Sequence, residues 1–176
     1  MGVEIASQLK AFVTVFGRPP DFVDGHQHVH LLPQVRDAVL TVASEAAPQA
    51  WVRQCGRVMP LRHRLTDRKG HALDIMSQTF RRRARRLGVR TNPAFAGTYA
   101  FADEADYAEL FPRFLDRLPP DSVVMCHPGF VDDELKRLDP LTQLREREYE
   151  FFMGNDFPRL LSEHGITLQT TASGSR

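Results

Sequence analysis

A short apolar run, Val123-Val124-Met125-Cys126, is the feature that most constrains the fold of this 176-residue chain. Runs of this length without polar residues are typical of strands that are buried on both faces of a parallel sheet. The run leads into His127-Pro128-Gly129, which places a polar turn at its carboxyl end. Because parallel strands need a crossover connection, usually a helix, the run favours an α/β fold.

The rest of the chain alternates as an α/β fold requires. We predict a single α/β domain over residues 1–171, with a parallel sheet or barrel, and a frayed tail at 172–176. The chain begins with a helix and offers only about four strands, fewer than a (β/α)8 barrel needs. We therefore expect it to be the C-terminal part of a larger fold. Apolar periodicity predicts helices at 5–16, 33–47, 73–87, 105–118, 142–153 and 156–164, and strands at 22–24, 51–55, 122–126 and 166–170. Residues 89–95 are predicted to form a short strand or a loop broken by Pro93.

Composition and charge narrow the class of protein. Hydrophobic residues make up 42% of the chain and charged residues 26%, which is typical of a globular domain. Lys and Arg number 23 against 22 acidic residues, so no overall field draws the chain toward nucleic acid or a membrane. No apolar run approaches the ~20 residues that span a bilayer. The two cysteines, Cys55 and Cys126, are interpreted as reduced core thiols, and we expect a cytoplasmic protein.

An arginine-rich segment, residues 81–86, raises the question of nucleic-acid binding. On a helical wheel Arg81, Arg82 and Arg85 lie opposite the apolar stripe, so most of the segment is interpreted as a solvated face, although Arg83 falls on the apolar side. No stacking aromatics are interleaved with it, and we expect no nucleic-acid partner. The predicted stripe consists of Ala72, Ile75, Met76, Thr79, Phe80 and Leu87. The predicted surface residues are His63, His71, His164 and the acidic turn Asp132-Asp133-Glu134.

The strongest functional signal is an acid followed by three histidines at every second position after the first predicted strand: Asp24, His26, His28 and His30. In an extended chain these side chains share one face. In an extended chain the Cα atoms of histidines two residues apart are about 7 Å apart, close enough for both rings to reach one metal. The Cα atoms of His26 and His30 are about twice as far apart. At most two are expected to bind a metal directly, and the others to orient them or meet substrate. The alternative is a polar strand end whose histidines only satisfy backbone groups.

His127 is the second signal, because it follows the buried strand at the end where α/β folds place catalytic groups. Imidazole titrates near neutrality, so His127 is a candidate general acid or base. The alternative is a histidine that only caps the strand. Both signals fall at the same predicted end of a parallel sheet, and we expect them to converge.

These motifs resemble the YdjC-like carbohydrate deacetylases, which include chitooligosaccharide deacetylase and the hopanoid-biosynthesis-associated HpnK subgroup. The resemblance covers nearly the whole chain. The segments that carry it are Phe16-Gly17-Arg18-Pro19-Pro20, residues 24–33 and Met125-Cys126-His127-Pro128-Gly129-Phe130, and the HpnK subgroup is favoured by residues 80–87, 91–97 and 138–142.

The resemblance implies an irregular (β/α) barrel, a divalent metal (Mg²⁺ or Zn²⁺) and hydrolysis of an N-acetyl group from a sugar or glycolipid. By position, His26 matches a metal ligand of the family, and His127 matches the histidine that protonates the leaving amine. Asp24, His28 and His30 would support them. The family's Ala-Asp-Asp segment and a further metal-binding histidine have no counterpart here, so we expect an incomplete site. A homodimer is expected.

Two other classes of function stay open on the sequence. An amidohydrolase-type metal hydrolase also places His-x-His at a strand end, but it needs a late aspartate that residues 166–170 lack. A non-catalytic remnant or binding module would keep the histidines without turnover.

Overall fold

The computed structural model describes residues 1–58, 68–99, 105–139 and 142–169. His63, Thr170 and the predicted tail at 172–176 lie outside these ranges. Two compact units are present: one contains residues 1–95 and 119–123, and the other contains residues 96–118 and 124–169. The prediction of a single domain over 1–171 stays a prediction.

The first unit contains helices α1 (Gly2–Phe16), α2 (Pro33–Ala46) and α3 (Arg68–Arg86) and strands β1 (Phe22–Val23) and β2 (Trp51–Val52). Helix α1 ends where Gly17 takes a left-handed backbone (φ 67°) and its amide donates to the Val13 carbonyl. Proline at the first turn of α2 has a fixed φ that suits a helix start. The strands β1 and β2 run parallel, as predicted, with Val23 opposite Val52.

Helix α3 buries a different face from the predicted one. Its buried positions in the described part are Gly70, Asp74, Ser77, Phe80 and Ala84. Asp74 forms a buried ion pair with Arg57 (3.0 Å), and the Ser77 hydroxyl accepts from the Cys55 amide (3.1 Å). Of the predicted stripe Phe80 is buried as expected, but the rest was misplaced because these two polar residues lie on the core side, whereas Ile75 is 52% exposed. Arg83, on the exposed side, lies 3.5 Å from Asp37 of α2.

The second unit is held together by an aromatic core. Tyr107, Phe111 and Leu115 of α4 are buried against a set of partly buried apolar side chains that includes Phe114, Phe151, Phe152 and Phe157. Asp106 caps α4 by accepting from the amides of Ala108 and Glu109. The helices are α4 (Tyr107–Leu115), α5 (Asp133–Leu138), α6 (Gln143–Met153) and α7 (Asp156–Glu163). No described helix is long and apolar enough to cross a bilayer.

Strands β3 (Phe95–Ala96) and β4 (Val123–Val124) form a second two-stranded sheet. The Val123 amide donates to the Ala94 carbonyl (3.1 Å) and the Met125 amide to the Ala96 carbonyl (2.9 Å), an ascending pattern that indicates parallel pairing. The α/β class is therefore confirmed. Among the described residues the strands do not close into a barrel, and the predicted strand at 166–170 was wrong over 166–169, which are irregular.

Candidate functional site

The histidine motif does not continue β1 as an extended chain. Residues His26–Leu31 form a 3₁₀ helix in which Gln27 (φ 50°) and His28 (φ 62°) take left-handed conformations. Such values are uncommon outside glycine. The prediction that Asp24, His26, His28 and His30 share one face was therefore wrong, because the backbone turns immediately after Gly25.

Arg53, the residue after β2, joins much of this motif. Its Nε donates to Asp24 Oδ1 (2.6 Å) and its Nη2 to the Gly25 carbonyl (3.2 Å). Nη1 donates to His28 Nδ1 (2.9 Å) and to Cys55 Sγ (2.9 Å). The guanidinium also lies 5.0 Å from the centre of the Phe95 ring. With only 7% of its side chain exposed, Arg53 is a buried cation that Asp24, 45% exposed, neutralises.

His30 is buried beneath this cluster. Its Nε2 donates to the Arg53 carbonyl (2.7 Å), and its ring meets Phe80 edge-on at 5.6 Å between centroids. A Cβ at position 25 would lie 2.5 Å from His30 Nδ1, so Gly25 is required for this approach. Burial, followed by the nearby Arg53 charge, holds the pKa of His30 below its usual value. These contacts make His30 part of the packed interior of the first unit.

The donors around Arg53 do not fit a divalent metal. Arginine can only donate hydrogen bonds, so His28 Nδ1 is the acceptor of the bond from Arg53. In a neutral ring the proton is then on Nε2. Neither ring nitrogen therefore has a free lone pair for a metal ion. Burial raises the pKa of the Cys55 thiol to about 12, so in this structure the side chain is a neutral thiol that accepts from Arg53. His26 is exposed. Within the described ranges no group of three or more ligating side chains could hold a metal ion.

His127 lies in the second unit and is supported by a buried carboxylate. Glu148 of α6 is fully buried, and its Oε2 accepts from the His127 backbone amide. Its Oε1 lies 3.9 Å from His127 Nδ1, and 26% of the His127 side chain is exposed. Convergence of His127 with the first histidine motif stays a prediction.

Two tyrosines complete the surroundings of Glu148. The Tyr99 hydroxyl donates to Glu148 Oε1 (2.7 Å). Burial and this hydrogen bond raise the pKa of Tyr99 well above its usual value. The pKa of Tyr107 is also raised, by burial and by the Glu148 charge. Both phenols therefore remain neutral, and the carboxylate is the charged group that faces His127. Cys126, by contrast, is exposed, so the prediction that it is a core thiol was wrong.

The sequence analysis did not identify Arg53 or Glu148 as site residues, although the sequence pattern around Glu148 indicates a buried charge. On α6 it lies four residues after buried Leu144 and three and four before Phe151 and Phe152, so a charged residue interrupts an apolar stripe. A carboxylate at such a position needs partners inside the protein. Arg53 had no comparable signal beyond its place next to a buried strand.

Comparisons with known proteins show the family of this chain. The model of the YdjC-like protein family matches residues 2–163. The chain belongs to the YdjC-like family. Chitooligosaccharide deacetylase from Escherichia fergusonii is 29% identical over 142 residues, covering 78% of this chain and 46% of the relative. Chitooligosaccharide deacetylase from Yersinia pestis is 29% identical over 132 residues, covering 75% and 44%.

The chain thus spans less than half the length of these curated YdjC-like relatives. A solved structure, the "putative cellobiose-phosphate cleavage protein" of Enterococcus faecalis V583, superposes with a TM-score of 0.70 at 23% identity. The superposition covers 97% of this chain and 58% of the solved one. At this identity the likeness supports the fold.

Proposed function

We propose that this chain is part of a carbohydrate deacetylase, a hydrolase that cleaves the N-acetyl amide bond of an amino sugar. Family membership and the names of the relatives support the reaction class. The observation that carries the assignment is the buried Glu148 carboxylate next to His127. The resemblance implies that His127 is the proton donor, and a carboxylate beside its ring suits that role.

His127 supplies the proton that the reaction needs on the nitrogen side. Water adds its oxygen to the amide carbon, the C–N bond breaks, and the imidazolium gives its proton to the leaving amine. Of the two protons that the water loses, one returns to the His127 imidazole and the other goes to solvent, so the products are the free amino sugar and acetate. An amine that leaves unprotonated is a poor leaving group, so a positioned acid speeds this step by roughly 10²–10⁴-fold. Glu148 fixes the backbone at His127 by accepting a hydrogen bond from its amide, and its second carboxylate oxygen lies 3.9 Å from the ring.

The finer parts of the assignment come from the sequence and from the resemblance. A hopanoid-linked glycoside as substrate, cytoplasmic location, a homodimer and a partial irregular barrel stay predictions, as does a Mg²⁺ or Zn²⁺ ion bound through His26. The mechanism above uses only side chains that the structure describes. Because the chain spans less than half of its relatives, we expect full turnover to need residues beyond these 176.

Acetate release from N-acetylated chitooligosaccharides tests the function. The chain and any longer form encoded upstream of Met1 are assayed with Mg²⁺ or Zn²⁺ present. For His127→Ala we expect turnover to fall by about 10²–10⁴-fold, with metal binding by calorimetry unchanged. His26→Ala tests the metal prediction separately: loss of metal binding by a longer form would support a ligand role for His26, and unchanged binding would contradict it. Failure of every form to release acetate from any N-acetylated sugar would contradict the proposal and favour a binding module.

A further inference from the structure

We propose that Phe130 and Tyr149 form a platform on which a pyranose ring of the substrate stacks, next to His127. Phe130 is 74% exposed, an unusual position for a phenylalanine. Its ring centroid lies 4.6 Å from that of half-buried Tyr149, with 51° between the ring planes. The two rings thus form one aromatic surface of which Phe130 is the solvent-facing part.

The backbone on both sides of Phe130 is anchored to α6. The Gly129 amide donates to the Arg145 carbonyl (3.1 Å), and the Val131 amide donates to Glu146 Oε1 (3.2 Å). Phe130 is therefore presented by a fixed segment rather than exposed at a free end. Fixed aromatic surface is well suited to binding, because little conformational entropy is lost when a ligand covers it.

The same helix supports both the candidate acid and the platform. Glu148 of α6 faces His127, and the next residue, Tyr149, contacts Phe130. Phe130 follows His127 by three residues, so their Cα atoms are at most about 11 Å apart. That span matches one or two sugar rings, which places the platform within reach of a substrate whose acetamide group lies at His127.

A pyranose is the ligand that fits this surface. Its axial C–H groups form an apolar face that packs on an aromatic ring, while its equatorial hydroxyls remain in water. Aromatic groups combine a large apolar surface with a defined geometry of contact, which suits packing against the C–H face of a sugar. The inference rests on the proposed function for its substrate class, but it concerns binding of the ring and not hydrolysis of the amide.

Sugar binding by the full chain tests the platform. Diacetylchitobiose and cellobiose are titrated by calorimetry, and their contact protons are identified by saturation-transfer NMR. Phe130→Ala should weaken binding of both by about 2- to 12-fold, and Phe130→Trp should preserve it. Leu138→Ala, which removes an equally exposed apolar side chain (76%) from the same unit, is the control and should bind normally.

The outcomes separate this inference from the proposed function. Binding through Phe130 without acetate release would contradict the deacetylase assignment and support the platform. Acetate release by Phe130→Ala with an unchanged KM would support the deacetylase assignment and contradict the platform. The platform is also overturned if the chain binds neither sugar, or if Phe130→Ala changes the oligomeric state by light scattering and leaves sugar affinity unchanged, since the surface would then be a protein interface.

Discussion

The two histidine-bearing regions place opposite charges next to their imidazoles. Around residues 24–30 the central group is the buried Arg53 guanidinium, which Asp24 neutralises and which donates to His28. Around His127 the central group is the buried Glu148 carboxylate. The region richer in histidines is therefore built around a buried cation that ties it into the structure, whereas the single histidine lies beside a buried carboxylate.

The largest effect that tests this contrast concerns Arg53. Arg53→Met removes the hydrogen bonds to Asp24, Gly25, His28 and Cys55, and we expect the free energy of unfolding to fall by about 2–3 kcal/mol. Denaturant titration followed by circular dichroism measures it. The control is Arg18→Met, which breaks an exposed pair with Asp21 and should cost less than about 0.5 kcal/mol. Equal losses in the two variants would show that Arg53 is not central to its region.

The next effect concerns the charge on Glu148. Glu148→Gln keeps the shape and can still accept from the His127 amide, but it removes the negative charge beside the ring. We expect kcat for acetate release to fall by about tenfold with KM little changed. Tyr99→Phe, which removes a hydrogen bond and leaves the charge, should cause a smaller fall. A reversed order, or a change confined to KM, would mean that Glu148 does not act through His127.

The smallest effect is a pH dependence in the first region. The pKa of folded His30 is lowered, so the unfolded chain takes up a proton first as the pH falls below 6.5. Stability contributed by His30 is thus fully present above that pH and declines below it, by at most about 1.4 kcal/mol per pH unit. His30→Gln should flatten the difference between unfolding free energies at pH 7.5 and pH 5.5. If the difference is the same in His30→Gln, His30 is not the cause of the pH dependence of stability.

The elements that sequence patterns predicted well are those whose signal is local. The run at 122–126 contains a parallel strand, but the strand is limited to Val123–Val124 and is half-buried, not buried on both faces as predicted. His127 follows it with Glu148 beside its ring. The helix at 142–153 was placed within one residue, because its apolar spacing needs no distant partner. The roles of His26 and His127 stay predictions.

What could not be predicted depends on partners far apart in the chain. Arg53 lies 29 residues from Asp24, and Glu148 lies 21 residues from His127, so neither pairing shows in a window of sequence. The buried face of α3 was misassigned for the same reason: Asp74 is an internal residue only because Arg57 neutralises it. Pattern reasoning treats a charge as a surface residue unless its partner is known.

The left-handed backbone at Gln27 and His28 also limits how this motif can be reused. Copying residues 24–30 into a flat strand of another scaffold would keep the letters and change which side chains point together. A transplant would need the turn itself. It would also need a glycine at position 25, which leaves room for the His30 ring, and an arginine that follows a second strand and binds the aspartate. Searches for similar proteins by the spacing of histidines alone will therefore retrieve chains that lack this arrangement.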